Sequence, residues 1–127
     1  MRVKGINPGT AIVWYRIIDY DKNKYSVVDY GVILTSKDLS TEERLEVIYN
    51  NMDKILKKYK PEFMAIEDLF YFKNNKTVIS VAQARGVILL VGKQNNIPMS
   101  NYTPLQVKIG ITGYGNCLLY TSLYQNW

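Results

Sequence analysis

Histidine is absent from the 127 residues, and there is one cysteine, Cys117. Without histidine there is no Ser-His-Asp or Cys-His nucleophile relay and no imidazole-ligated metal. A lone cysteine builds neither an internal disulfide framework nor a thiolate zinc site. Metal chemistry therefore falls to oxygen ligands, which suit Mg²⁺, Mn²⁺ or Ca²⁺. Long apolar runs are missing as well. The strongest, Gly86 to Gly92, is far short of the ~20 residues that cross a bilayer. The opening Met1-Arg2-Val3-Lys4-Gly5 has no apolar signal core. A soluble, cytoplasmic protein is the expectation. Charge, finally, is absent from Ile109 to Trp127.

What remains is the composition of one globular domain, 47% hydrophobic and 21% charged. The net charge of +5 is unevenly placed. Residues 1–53 carry seven basic and eight acidic side chains, whereas residues 54–108 carry nine basic and three acidic ones. A basic middle segment suits a polyanion. Lys54, Lys57, Lys58 and Lys60 read more simply as the solvated end of a helix.

Val3 to Ile6 reads as a short strand that ends at Asn7-Pro8-Gly9-Thr10, a sequence suited to a type II turn. Ala11–Tyr20 and Lys24–Leu34, rich in Ile, Val and Tyr, read as a hairpin about the turn Asp21-Lys22-Asn23. Ser40 with Glu43 forms a capping box, and Leu45, Ile48, Met52, Ile55, Leu56 and Tyr59 recur at helical spacing up to Pro61. Phe63–Ile66 reads as a buried parallel strand ending at Glu67-Asp68. Asn75–Gln94 reads as a helix apolar around most of its girth, buried in the core or against a second copy. Ile97–Tyr102 reads as a strand, and Pro104 opens a third helix running to about Ile109. The order βββαβαβα implies a mixed α/β sheet.

Chemistry concentrates at two strand ends. In open α/β sheets, ligands collect outside such ends. If the first and fourth strands are neighbours, Asn7 and Glu67 lie side by side there. A carboxylate closing a buried strand calls for a cation or for solvent, and both readings of Glu67 stand on periodicity alone.

Gly5-Ile6-Asn7-Pro8-Gly9-Thr10, Ala65-Ile66-Glu67, Phe70, Lys73-Asn74, Gln83-Ala84-Arg85-Gly86 and Gln106-Val107-Lys108, in this order, resemble the RuvC family of Holliday-junction resolvases. The resemblance covers residues 1 to about 115. It implies a ribonuclease-H-like fold: three antiparallel strands followed by parallel strands, flanked by helices. It also implies a homodimer that nicks opposed strands of four-way DNA junctions with Mg²⁺ or Mn²⁺, alongside the RuvAB branch-migration motor. Glu67 matches the family glutamate, and Asn7 stands where the family has aspartate. Phe70 matches an aromatic beside the crossover, and Lys108 a basic residue near DNA. The family's acidic pair on a closing C-terminal helix has no counterpart here. Lys4 falls where an apolar strand residue is expected, and Trp14 and Arg16 where glycines are common.

The expected organisation is a RuvC-like domain over 1–115, lacking its closing helix, and a non-family tail over 116–127. Within that tail, Cys117–Ser122 also matches a translated transposon-derived sequencing adapter.

Two-metal phosphodiester cleavage needs a bridging carboxylate to hold the cations about 3.5–4 Å apart. Asn7 offers one neutral carbonyl oxygen and an NH₂ that repels cations. Little or no nuclease activity is therefore expected, with Asn7 and Glu67 as the candidate catalytic and metal positions. The expected DNA contacts are Phe70, Lys73, Lys76, Arg85 and Lys108. Phe70 would stack on bases and the lysines would meet phosphates. Arg85, within an apolar helix, requires either a phosphate or an internal acid as partner. Lys4 would be costly in a central strand unless it snorkels. A non-catalytic junction-binding module is the alternative. An actin-like ATPase fragment is a remote one, since the turn after the first strand resembles that superfamily's phosphate cradle.

Overall fold

A computed structural model describes residues 1–7, 12–67 and 75–102. The elements are β1 (Arg2–Asn7), β2 (Ile12–Asp21), β3 (Lys24–Leu34), α1 (Thr41–Tyr59), β4 (Phe63–Glu67), α2 (Asn75–Gln94) and β5 (Met99–Tyr102). They build a five-stranded sheet in the order β3-β2-β1-β4-β5. The first three strands pair antiparallel, and β1–β4 and β4–β5 pair parallel. The mixed α/β sheet read from the sequence is the one observed.

Local chemistry explains the elements. Between β2 and β3 only Lys22 and Asn23 form the turn, both with positive φ (48° and 63°). Two left-handed residues give a turn whose twist matches that of the flanking strands. The hairpin then runs as a long ribbon with a bulge where the register shifts between Ile17 and Ile18.

Helix α1 starts at the expected capping box. The Ser40 hydroxyl accepts from the Glu43 amide at 3.2 Å, and the Glu43 carboxylate accepts from the Ser40 amide at 3.3 Å. It stops at Lys60, whose left-handed φ of 48° returns its amide to the Leu56 carbonyl at 2.9 Å.

Helix α2 stops by a related device. Asn96 is left-handed, and the Ile97 amide bonds back to the Gly92 carbonyl at 3.1 Å. This corrects the strand expected from Ile97. That amide belongs to the helix end and Pro98 has none to give, so the ladder opens only at Met99.

Alternation along the strands sorts the two sheet faces. Ile6, Val13, Ile33, Met64 and Ile66 join Ile48, Met52 and Leu56 of α1 and Ala84, Ile88 and Val91 of α2 in one core. Both helices thus cover the same face. Gly92 sits where α2 crosses β4 and β5: a Cβ there would fall 2.6 Å from the Met99 sulfur. Helix α2 is less enclosed than its composition suggests. Val81, Ala84, Ile88 and Val91 are buried, but Ile79 and Leu90 are exposed. No helix among the described residues is long and apolar enough to cross a membrane.

Candidate active site

The register settles the geometric condition posed by the sequence. Strands β1 and β4 are direct parallel neighbours, and Ile6 pairs with Ile66. Asn7 and Glu67 are the next residues of each strand, so the backbone brings them together at the same end of the sheet. Trp14 pairs with Asn7 on one side, and Tyr102 pairs with Glu67 on the other. Four strands thus converge on this edge.

Glu67 is half-buried here, because the residues before it, Met64 to Ile66, are core. Burial pushes its carboxyl up to about 7. Desolvation penalises the charged form, and among the described residues no cation offsets the penalty. Such a carboxyl would be stabilised by a hard cation. A divalent centre needs more than one, and among the described residues no group of three or more Asp, Glu, Cys or His side chains comes together. Asn7 supplies no charge. The donor set described here therefore does not fit a two-cation centre.

The two cations that depart from the family pattern, Lys4 and Arg16, are buried on opposite faces of the sheet. Lys4 does not snorkel. It is fully buried (0% exposed) and donates from Nζ to the Met52 sulfur at 2.8 Å. Arg16 pairs with Gly5 on the face away from the helices. It is 6% exposed, its guanidinium lies 5.2 Å from the Tyr30 ring centre, and its Nε has no hydrogen-bond partner among the described residues. Neither buried cation has a carboxylate bonded to it among the described residues.

Arg85 finds a third kind of partner, neither phosphate nor acid. Its Nη2 donates to Asn101 Oδ1 on β5, and its Nε is buried without a partner among the described residues. Asn101 is in register with Ile66, one residue before Glu67. Arg85 thus ties α2 to the strand beside the candidate site. Asn101 carries no mark in the sequence, because nothing in a four-residue strand shows which residue turns toward the helix.

Phe70, Lys73 and Lys108, the turn after Asn7, the helix from Pro104 and the tail over 116–127 lie outside the described residues, and of Asn7 and Lys76 only the backbone is described. A cavity of about 400 Å³ lies at the opposite end of the sheet, lined by Leu56, Lys60, Glu62 and Asn96 among others. It contains none of the expected site residues.

Comparison with known proteins agrees with this fold. The family model described as crossover junction endodeoxyribonuclease RuvC matches residues 3–118. A Fusobacterium nucleatum crossover junction endodeoxyribonuclease RuvC is 87% identical over 115 residues, which are 91% of this chain and 60% of that protein. One from Halothermothrix orenii is 50% identical over 115 residues, 91% of this chain and 70% of that protein. Among solved structures, a T. thermophilus RuvC in complex with a Holliday junction substrate superposes with a TM-score of 0.82 at 27% identity. The match covers 92% of this chain and 72% of that one. The chain thus spans three-fifths of the length of its Fusobacterium relative.

Proposed function

Because the chain belongs to the RuvC family, we propose that it recognises four-way DNA junctions and that, as written, it cuts them poorly or not at all. The observation carrying this is the β1–β4 register, which sets Asn7 and Glu67 at one strand edge. That edge is the family's frame for a metal-dependent nuclease, with an amide in place of one acid. Mg²⁺ or Mn²⁺ would supply charge for phosphodiester hydrolysis, but Glu67 and Asn7 alone do not make the site for it. What the remaining residues do is bind. Phe70 stacks on bases beside the crossover, and Lys73, Lys76 and Lys108 meet phosphates. Arg85 holds β5 through Asn101 and would meet DNA from that position.

A second copy of the chain completes the reading. Helix α2 leaves Ile79 and Leu90 exposed, and at Gly86 an added Cβ would meet nothing within 4 Å. An apolar stripe with a small residue at its centre suits close approach of the same helix from a partner protomer.

The test uses a synthetic four-way junction and a linear duplex of equal length. Binding that prefers the junction, survives EDTA and weakens steeply with salt is expected, with no paired nicking when Mg²⁺ or Mn²⁺ is added. Efficient paired nicking refutes the inactivity. Equal affinity for duplex and junction refutes the recognition.

A further inference from the structure

Lys4 is a core residue with a charge-bearing end. It lies on the helical face of β1, in register with Ile17 on one side and Met64 on the other, beneath α1. Its Nζ reaches the Met52 sulfur of α1 at 2.8 Å and lies 4.8 Å from the Tyr15 ring centre. A thioether and a ring face are weak partners for an ammonium, which presents three donors. Burial accordingly pulls the amine down to about 7, against the opposing pull of Asp29.

Among the described residues, Tyr15 of β2 presents its ring to Lys4, and Asp29 of β3, in register with Ile17, which is itself in register with Lys4, is the carboxylate that acts on it; Tyr59 of α1 reaches Asp29, and β4 presents Met64. Asp29 is already engaged. Its Oδ2 accepts from the Tyr59 hydroxyl at 2.5 Å and its Oδ1 from the Tyr30 amide at 2.8 Å. Tyr59 is the last residue of α1, and its carbonyl accepts from Arg2 Nη1 at 2.9 Å. The C-terminal half of α1 is therefore held to the sheet at three points: Met52 on Lys4, the Tyr59 hydroxyl on Asp29, and the Tyr59 carbonyl on Arg2.

We propose that Lys4 is a proton-operated latch: the neutral amine lets α1 dock through Met52 and Tyr59, and the protonated amine draws Asp29 away from Tyr59 and releases the end of the helix. The two arrangements compete for one carboxylate. A neutral amine leaves Asp29 to Tyr59. An ammonium needs an oxygen, and among the groups facing it Asp29 is the carboxylate. The sign follows from the shift. The unfolded chain holds the Lys4 proton up to about 10.5, whereas the docked state releases it near 7. Docking therefore weakens as pH falls from the upper value to the lower and changes no further below it.

Amide hydrogen exchange on the full chain, corrected for intrinsic rates, tests this. Protection across Met52–Tyr59 is expected to fall as pH is lowered, by at most tenfold per pH unit, while the β1–β2 amides stay protected. Lys4→Met should make the helix protection higher and independent of pH. Tyr59→Phe, which frees Asp29, should extend the acid-labile range upward. The Lys4 ε-carbon chemical shift gives a second readout, with a midpoint near 7. A flat wild-type profile, a profile unchanged by Lys4→Met, loss of protection spread evenly over the sheet, or a midpoint near the ordinary lysine value would each overturn the latch.

Discussion

Replacing Glu67 with glutamine should make the protein more stable at neutral pH while removing the one acid among the described residues of its candidate site. The folded carboxyl titrates near 7 rather than 4.5, because burial opposes its charge. Between those values the folded chain holds a proton that the unfolded chain has released, so wild-type stability falls as pH rises through that window. At full strength the shift corresponds to about 3 kcal/mol. The carboxyl still touches water, which screens the penalty, and about 1–2 kcal/mol is the expected effect. For a domain of this size that is roughly 5 °C in melting temperature. Urea unfolding of both proteins across the window is the assay. The curves should coincide at the acid end and diverge toward neutrality, with the glutamine variant on top. Asp19, whose carboxyl Arg2 holds low, loses its contribution only at more acidic pH and leaves this window clear. If the variant is less stable at neutral pH, or if the two proteins show the same pH dependence, the desolvated carboxyl is not what the register and burial indicate. A Mg²⁺-induced rise in melting temperature that disappears with Glu67→Gln would further assign cation contact to this residue.

Two further outcomes follow from the packing. Gly92→Ala places a methyl against the sulfurs of Met99 and Met64, and overpacking there should cost about 1–3 kcal/mol in denaturant unfolding. Leu90→Arg puts a charge on the exposed stripe of α2. It should leave the melting temperature within a few degrees but shift any dimer seen by sedimentation toward monomer.

Much of the frame could be read from residues alone because local and global signals agree there. Ser40 and Glu43 announce the start of α1, and the β2–β3 ribbon is written in alternating Val, Ile and Tyr. The meeting of Asn7 and Glu67 needed one thing the sequence does not carry, the adjacency of strands one and four, which only the sheet order supplies. Lys4 was legible as a misfit but not as a fully enclosed one. Its environment depends on Met52, 48 positions away. Arg85 called for a partner, and Asn101 became one only through the crossover that sets β5 beside β4. The girth of α2 left two settings open, the core or a second copy, because apolar composition says nothing about how many neighbours a helix has. The sheet presents one face to both helices and leaves Ile79 and Leu90 outside.

Among the described residues one rim of the sheet is free, and this has its own consequence. Strand β3 ends the strand order, and along it Tyr30 and Leu34 are 67% and 63% exposed, with Val27, Val28 and Val32 also open to solvent. Its outer backbone groups offer a template on which another extended segment can be added. Lys22 and Lys24 guard the turn, and the bulge twists the ribbon near it, but the stretch from Tyr30 to Leu34 has no such gatekeeper. At high concentration this chain should therefore be lost by sideways accretion along that rim, starting from molecules that are still folded.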